Sequence, residues 1–178
     1  MNILFVTLSL PHARARHGGG QLSYEWLRHL SRRHSLFLVT ILPEEDRPFL
    51  PEARALFREI RTVPVYRGAL SRLRRLPLLA RYPYAVVTYS APEIRDGISE
   101  LVARRGIDLV QLEHLPLGQY AAGLPAGLPR VLLFQDVASS VLRQQVRISG
   151  GMRKWLLYRE WDRSRYWEKR YAAAAGNV

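Results

Sequence analysis

Glu113 and His114 stand side by side immediately after a segment, 108–112, that reads as a buried strand. A carboxylate next to an imidazole at the end of a strand can supply a general base, because burial or neighbouring charge tunes either group toward neutral pH. The alternative is an exposed polar pair leading into Pro116. A second candidate lies between Ser9 and Gly20, where His17 is followed by Gly18, Gly19 and Gly20. Consecutive glycines let backbone N–H groups approach an anion closely, and a helix starting there adds the positive end of its dipole. The alternative is a flexible turn that needs positive φ. A third is Gln135-Asp136, after the apolar run 131–134. Asp136 can orient a substrate hydroxyl, or it can cap the helix that follows.

Other chemistries are excluded by what these motifs are not. The glycine run is neither the G-x-G-x-x-G dinucleotide fingerprint nor a P-loop, and no acidic residue closes the second strand to hold a ribose. There is no G-x-S-x-G elbow. The five histidines (12, 17, 29, 34 and 114) show no H-x-x-x-H or H-E-x-x-H spacing, and no metal site is expected. Cysteine is absent, which removes a thiol nucleophile and a disulfide framework and fits a reducing interior.

The 178 residues carry 27 Lys and Arg against 15 Asp and Glu, a net charge of +12. Only Lys154 and Lys169 are lysines. This arginine-dominated balance implies a polyanionic neighbour: nucleic acid, an anionic membrane face or phosphorylated small molecules. Two basic and aromatic surfaces stand out. Arg67, Arg72, Arg74, Arg75 and Arg81 alternate with leucines and Tyr82 without an intervening acid. The C-terminal region adds Trp155, Tyr158, Trp161, Tyr166, Trp167 and Tyr171 among further basic residues. Both mixtures suit an interfacial segment on anionic lipid, and both also suit helices packed on their own sheet with arginines reaching outward. No run of 18 apolar residues occurs and Met1-Asn2 leads straight into apolar sequence. The expectation is a cytoplasmic protein, peripheral on the inner face of the membrane.

The elements that must hold these residues alternate. Strands are predicted at 3–8, 36–42, 61–66, 108–112 and 131–134. Helices are predicted over 22–30, with Leu22, Trp26, Leu27 and Leu30 inward, and over 52–59, 137–147 and 152–175. A further helix over 69–80 would be broken by Pro77. Ser90 and Glu93 form a capping box ahead of an Ile94, Ile98, Leu101, Val102 stripe that Gly106 closes. Apolar strands alternating with helices specify an α/β, Rossmann-like, doubly wound and mostly parallel sheet with helices on both faces, in one domain.

The order of motifs is similar to one family. Met1-Asn2-Ile3-Leu4-Phe5-Val6-Thr7, the loop to His17-Gly18-Gly19-Gly20, the strand Asp108-Leu109-Val110-Gln111-Leu112-Glu113, then Leu133-Phe134-Gln135-Asp136-Val137 and the aromatic stretch 161–171 resemble the first half of family 4 (group 1) retaining glycosyltransferases. The resemblance implies a GT-B architecture of two Rossmann-like domains. Residues 1–178 would be the N-terminal, acceptor-side domain, and a C-terminal nucleotide-sugar domain with an E-x7-E pair would lie outside this chain, which alone would be inactive.

It further implies a nucleotide sugar as co-substrate with no other cofactor, and a lipid-linked or envelope glycan as acceptor. The departing diphosphate would be stabilised electrostatically, without a metal. Gly18, Gly19 and Gly20 would approach the donor phosphates, and His17 and Asp136 would lie by the acceptor. Glu113 and His114 are the catalytic candidates: the family often has a functional histidine where Glu113 stands, so either Glu113 takes that role, His114 swings in, or neither acts. Arg72, Arg74, Arg75, Trp155 and Trp161 would meet membrane or the partner domain. Two other classes stay open: a basic nucleic-acid-binding module, for which no recognition pattern exists, and a self-contained nucleotide-binding Rossmann protein.

Overall fold

Strand residues alternate between two apolar faces, and that alternation sets the layers. The computed structural model describes residues 1–15, 18–64 and 76–176. Five strands, β1 (Asn2–Thr7), β2 (Ser35–Leu42), β3 (Glu59–Pro64), β4 (Leu109–Glu113) and β5 (Arg130–Leu133), form one sheet in the order β3-β2-β1-β4-β5. Every pairing is parallel, with Leu4 opposite Phe37 on one side and Val110 on the other. Ile3, Phe5, Leu36 and Leu38 pack on one face with Leu27 of α1 (Gly18–Leu30) and Ala53 of α2 (Leu50–Arg54). Leu4, Val6, Phe37, Val39, Val110 and Leu112 pack on the other, under Ile94, Ile98 and Leu101 of α4 (Pro92–Arg105). The short helix α3 (Tyr84–Thr88) precedes α4, and a 3-10 turn at Leu115–Gly123 follows β4. The predicted α/β Rossmann-like fold is the observed one.

Gly106 ends α4 in the left-handed conformation (φ 52°, ψ 54°). The Asn2 side chain donates to the Arg105 and Gly106 carbonyls at 2.8 and 3.1 Å, tying that turn to the first residue of β1. Two helices complete the chain. α5 (Ala138–Ile148) and α6 (Gly151–Ala175) form an antiparallel hairpin: at its base the Ser139 amide donates to Glu168 at 2.9 Å, and Ser149 and Gly150 join the two helices at its tip. The C-terminal half of α6 is held by Trp167 and Tyr171, which pack with Val86 and Leu115. Gly118 lets that half approach, because a Cβ there would lie 2.7 Å from the Tyr171 Cβ.

Several local expectations are corrected. The acidic connection is a 3-10 turn over Glu44–Phe49 followed by the five-residue α2, and Glu59 already belongs to β3. Pro51 sits in the first turn of α2, where its missing amide is tolerated, so the helix starts at Leu50 and ends at Arg54 rather than running to Glu59. Ser90 does not open a capping box. The N-cap of α4 is Ala91 without a side-chain cap, and Pro92 at the first turn supplies the preset φ that starts the helix. In α1 the buried face is Gly20, Ser23 and Leu27, whereas Leu22 is exposed. The helix predicted over 69–80 falls mostly outside the described residues, and its described end, Leu76–Ala80, is a 3-10 turn around Pro77.

Candidate functional site

All five strands run the same way, so their carboxyl ends share one rim. The strand order reverses between β1 and β4, and the crevice at such a switch point is where open α/β sheets take ligands. Two spaces lie there. A cleft of ≈ 720 Å³ is bounded by Ser9 after β1, by Gly18 and Gly19, and by His114, Gln135 and Asp136 after β4 and β5. Tyr84 and Tyr89 wall one side, with Val141 of α5 and Glu160 of α6 on another. Behind it, a closed space of only ≈ 10 Å³ is enclosed by Thr7, Gly20, Ser23, Glu113 and Gln135. That is too small for any substrate.

The glycines are not a loop. Gly18, Gly19 and Gly20 form the first turn of α1, and none has positive φ, which overturns the flexible-turn alternative. Gly18 is exposed, and a Cβ added there would meet nothing within 4 Å. Gly20, by contrast, is buried against the closed space. The first turn of a helix carries amides without intrahelical acceptors, so Gly18 and Gly19 turn N–H groups and a positive dipole end toward the cleft.

Glu113 lines only the closed space, whereas His114 lines both. Glu113 is buried, 3 % exposed, and accepts three hydrogen bonds. Ser23 Oγ donates to Oε2 at 3.0 Å, Gln135 Nε2 to the same oxygen at 3.2 Å, and Gln111 Nε2 to Oε1 at 3.3 Å. Gln135 Nε2 also donates to Ser23 Oγ at 2.7 Å. Burial pushes the carboxyl from 4.5 up to about 7, against the lowering effect of the Ser23 and Gln111 hydrogen bonds. The exposed-pair alternative therefore does not hold for Glu113. His114 lines the cleft and carries the one positive φ found at a non-glycine residue among those described (φ 69°, ψ 156°). That region is nearly exclusive to glycine and costs about 1–3 kcal/mol, a strain that collects at functional positions. Its amide donates to the Leu133 carbonyl at 2.8 Å, which fixes the bend to β5.

Asp136 is exposed at the cleft, and it does not cap α5, whose N-cap is Val137 without a side-chain cap. His17, Arg72, Arg74 and Arg75 lie outside the described residues. Trp155 is exposed far along α6 from the cleft. Trp161 is half-buried in a surface hollow beside Ser139, Ser140, Arg143 and Arg165, below the exposed end of the hairpin. Sequence reasoning missed Ser23 and Gln111 as partners of Glu113. The available signal was Gly20, Ser23 and Leu27 at i, i+3 and i+7, one face of α1 whose small Gly20 and Ser23 let its first turns sit close to the strand ends. Among the described residues no group of three His, Asp or Glu is placed to share a metal ion.

Comparison with protein-family models, with curated proteins and with solved structures finds no match to this chain. The fold and the cleft therefore carry the functional reading.

Proposed function

We propose that this chain is the acceptor-side half of a retaining glycosyltransferase that moves a sugar from a nucleotide diphosphate sugar to a glycan or lipid-linked acceptor. The observation that supports it most is convergence. Gly18 and Gly19, His114 and Asp136 come from three different strand ends, and they border one cleft at the switch point of the sheet. In this reading the α1 amides meet the departing diphosphate, whose approach no glycine Cβ obstructs. Tyr84 and Tyr89 offer aromatic faces against which a sugar ring packs. The bond from the anomeric carbon to the diphosphate oxygen breaks, with its electron pair leaving on the diphosphate. The acceptor hydroxyl takes that carbon and gives its proton to a base, for which Asp136 and His114 are the candidates, because Glu160, the other carboxylate bordering the cleft, is held by the Tyr84 amide and Arg163. Glu113, sealed behind them, is a positioning residue that fixes Ser23 and Gln135.

Binding and transfer assays on the purified chain test this. The expected result is saturable binding of a glycan acceptor that Asp136→Ala weakens, with no sugar transfer from any nucleotide sugar supplied. Read past the codon for Val178, the gene should encode a second Rossmann pattern with an E-x7-E pair. Turnover by this chain alone would overturn the half-enzyme reading. Tight nucleotide binding without glycan affinity would replace it with a self-contained nucleotide-binding protein. Salt-steep affinity for random duplex DNA would replace it with a nucleic-acid module.

A further inference from the structure

The α5–α6 hairpin ends in a surface that the cleft does not use. No residue from Gly151 to Arg159 is buried. These nine residues carry the hairpin about 13 Å beyond Glu160, at 1.5 Å per residue. Ile148 is 87 % exposed and Met152 79 %, and Trp155, Leu156 and Tyr158 are each more than half exposed. Met152, Trp155 and Leu156 fall at i, i+3 and i+4, so they form one apolar stripe on α6 next to Ile148 at the end of α5.

The charge around that stripe has one sign. From residue 137 to 159 there are five cations, Arg143, Arg147, Arg153, Lys154 and Arg159, and no Asp or Glu. Among the described residues none of the five makes an ion pair, and the Arg159 guanidinium lies over the Trp155 ring at 5.1 Å from its centroid. Several arginines elsewhere are paired, Arg61 and Arg105 with Glu59, Arg104 with Glu100 and Arg163 with Glu160. Gly151 (φ 56°) opens α6 at the turn, and the apolar side chains on either side of it, Ile148, Met152, Trp155 and Leu156, are exposed.

We propose that this tip is a membrane-docking element, inserting Ile148, Met152, Trp155 and Leu156 among the headgroups of an anionic bilayer while Arg147, Arg153, Lys154 and Arg159 meet its phosphates. Apolar wedges ringed by cations match an interface that is apolar below and negative above. An acidic protein groove would match the charge, but a projecting tip of separate side chains suits a deformable lipid surface better than a fixed complementary one. The inference stands whether or not the cleft transfers sugar. It also replaces part of the sequence-based surface: Trp161 leaves it, and Ile148, Met152 and Leu156 join Trp155.

The test is co-sedimentation of the whole chain with vesicles of mixed phosphatidylglycerol and phosphatidylcholine, and with vesicles of phosphatidylcholine alone. The wild type should bind the mixed vesicles, release from them as salt rises and leave pure phosphatidylcholine largely unbound. A variant carrying Ile148→Ser, Met152→Ser, Trp155→Ser and Leu156→Ser should keep its circular dichroism and melting temperature, because no buried contact is lost. Its binding should fall by at least ~10-fold. An Arg153→Gln, Lys154→Gln variant should keep the apolar stripe but lose much of the preference for the anionic vesicles. Three results would overturn the proposal: no binding of the wild type to anionic vesicles, equal binding to both lipids, or undiminished binding by the serine variant. Specific cross-linking of the tip to a protein, with no vesicle binding, would reassign it as a protein interface.

Discussion

The carboxyl rim of the sheet and the tip of the α5–α6 hairpin are both rich in polar and aromatic side chains, and they treat them in opposite ways. At and beside the rim the buried side chains are answered. Glu113 takes three donors, and the Trp167 indole N–H donates to the Arg81 carbonyl at 2.9 Å while its ring stacks on Tyr82 at 4.6 Å. At the tip, ten to twenty residues earlier on the same helix, Trp155 touches an arginine and otherwise faces outward. The same residue types do both jobs, so composition does not decide which face is core. What decides is whether another element reaches the helix: the turn at Leu115–Gly123 packs on the C-terminal half of α6, and no residue of its first nine is buried.

Mutation at the seated end should give the largest effect. Trp167→Ala removes a buried indole, its stacking partner and its hydrogen bond, and should cost about 3–5 kcal/mol by denaturant titration. A loss below about 1 kcal/mol would mean that this half of the helix is as loosely held as the tip.

The buried carboxylate gives the next effect, and its sign is unusual for a glutamate. Because the folded pKa of Glu113 is about 7 against 4.5, the folded state holds the extra proton between those values. Stability from this group is full below pH 4.5, falls as pH rises toward 7 and levels off above that, by up to about 3 kcal/mol. Glu113→Gln should flatten the slope across that window. An unchanged slope would show that the closed space admits water freely.

A smaller effect is expected one residue on. His114→Gly should raise stability by about 1 kcal/mol, by relieving the positive φ, while weakening ligand binding in the cleft. If His114→Gly is destabilising, the strain is illusory and the bend is set by the side chain. The smallest effect belongs to the tip: Trp155→Ala should stay within about 0.5 kcal/mol of the wild type in the absence of lipid.

Much of this was legible beforehand, for definite reasons. Strands covered on both faces read as mostly apolar runs, so 3–8, 36–42 and 108–112 located β1, β2 and β4 to within one residue at each end. The Ile94, Ile98, Leu101 stripe and Gly106 fixed α4, because its period and stop signal are local. The environments of Glu113 and His114 were not legible. They depend on Ser23, 90 residues away, and on Gln135 after β5, and no local pattern encodes such a meeting. The glycines were expected as a loop because glycine is a poor helix former. At the first turn of α1 the lack of side chains serves close approach to strand and cleft instead.

One consequence of the sheet order concerns the ribosome. β1 is made first and stands in the middle, so β2 covers one of its edges within 42 residues while the other edge waits for β4 at Leu109. At ~5–20 residues per second that wait lasts several seconds on the nascent chain. During it, the apolar centre of the sheet offers an open ladder, and Asn2 holds its side chain ready for carbonyls at Arg105 and Gly106 that have yet to be synthesised. The chain can close its core only after its C-terminal third begins to emerge, so slow codons between β2 and β4 would lengthen the time in which it is most open to aggregation.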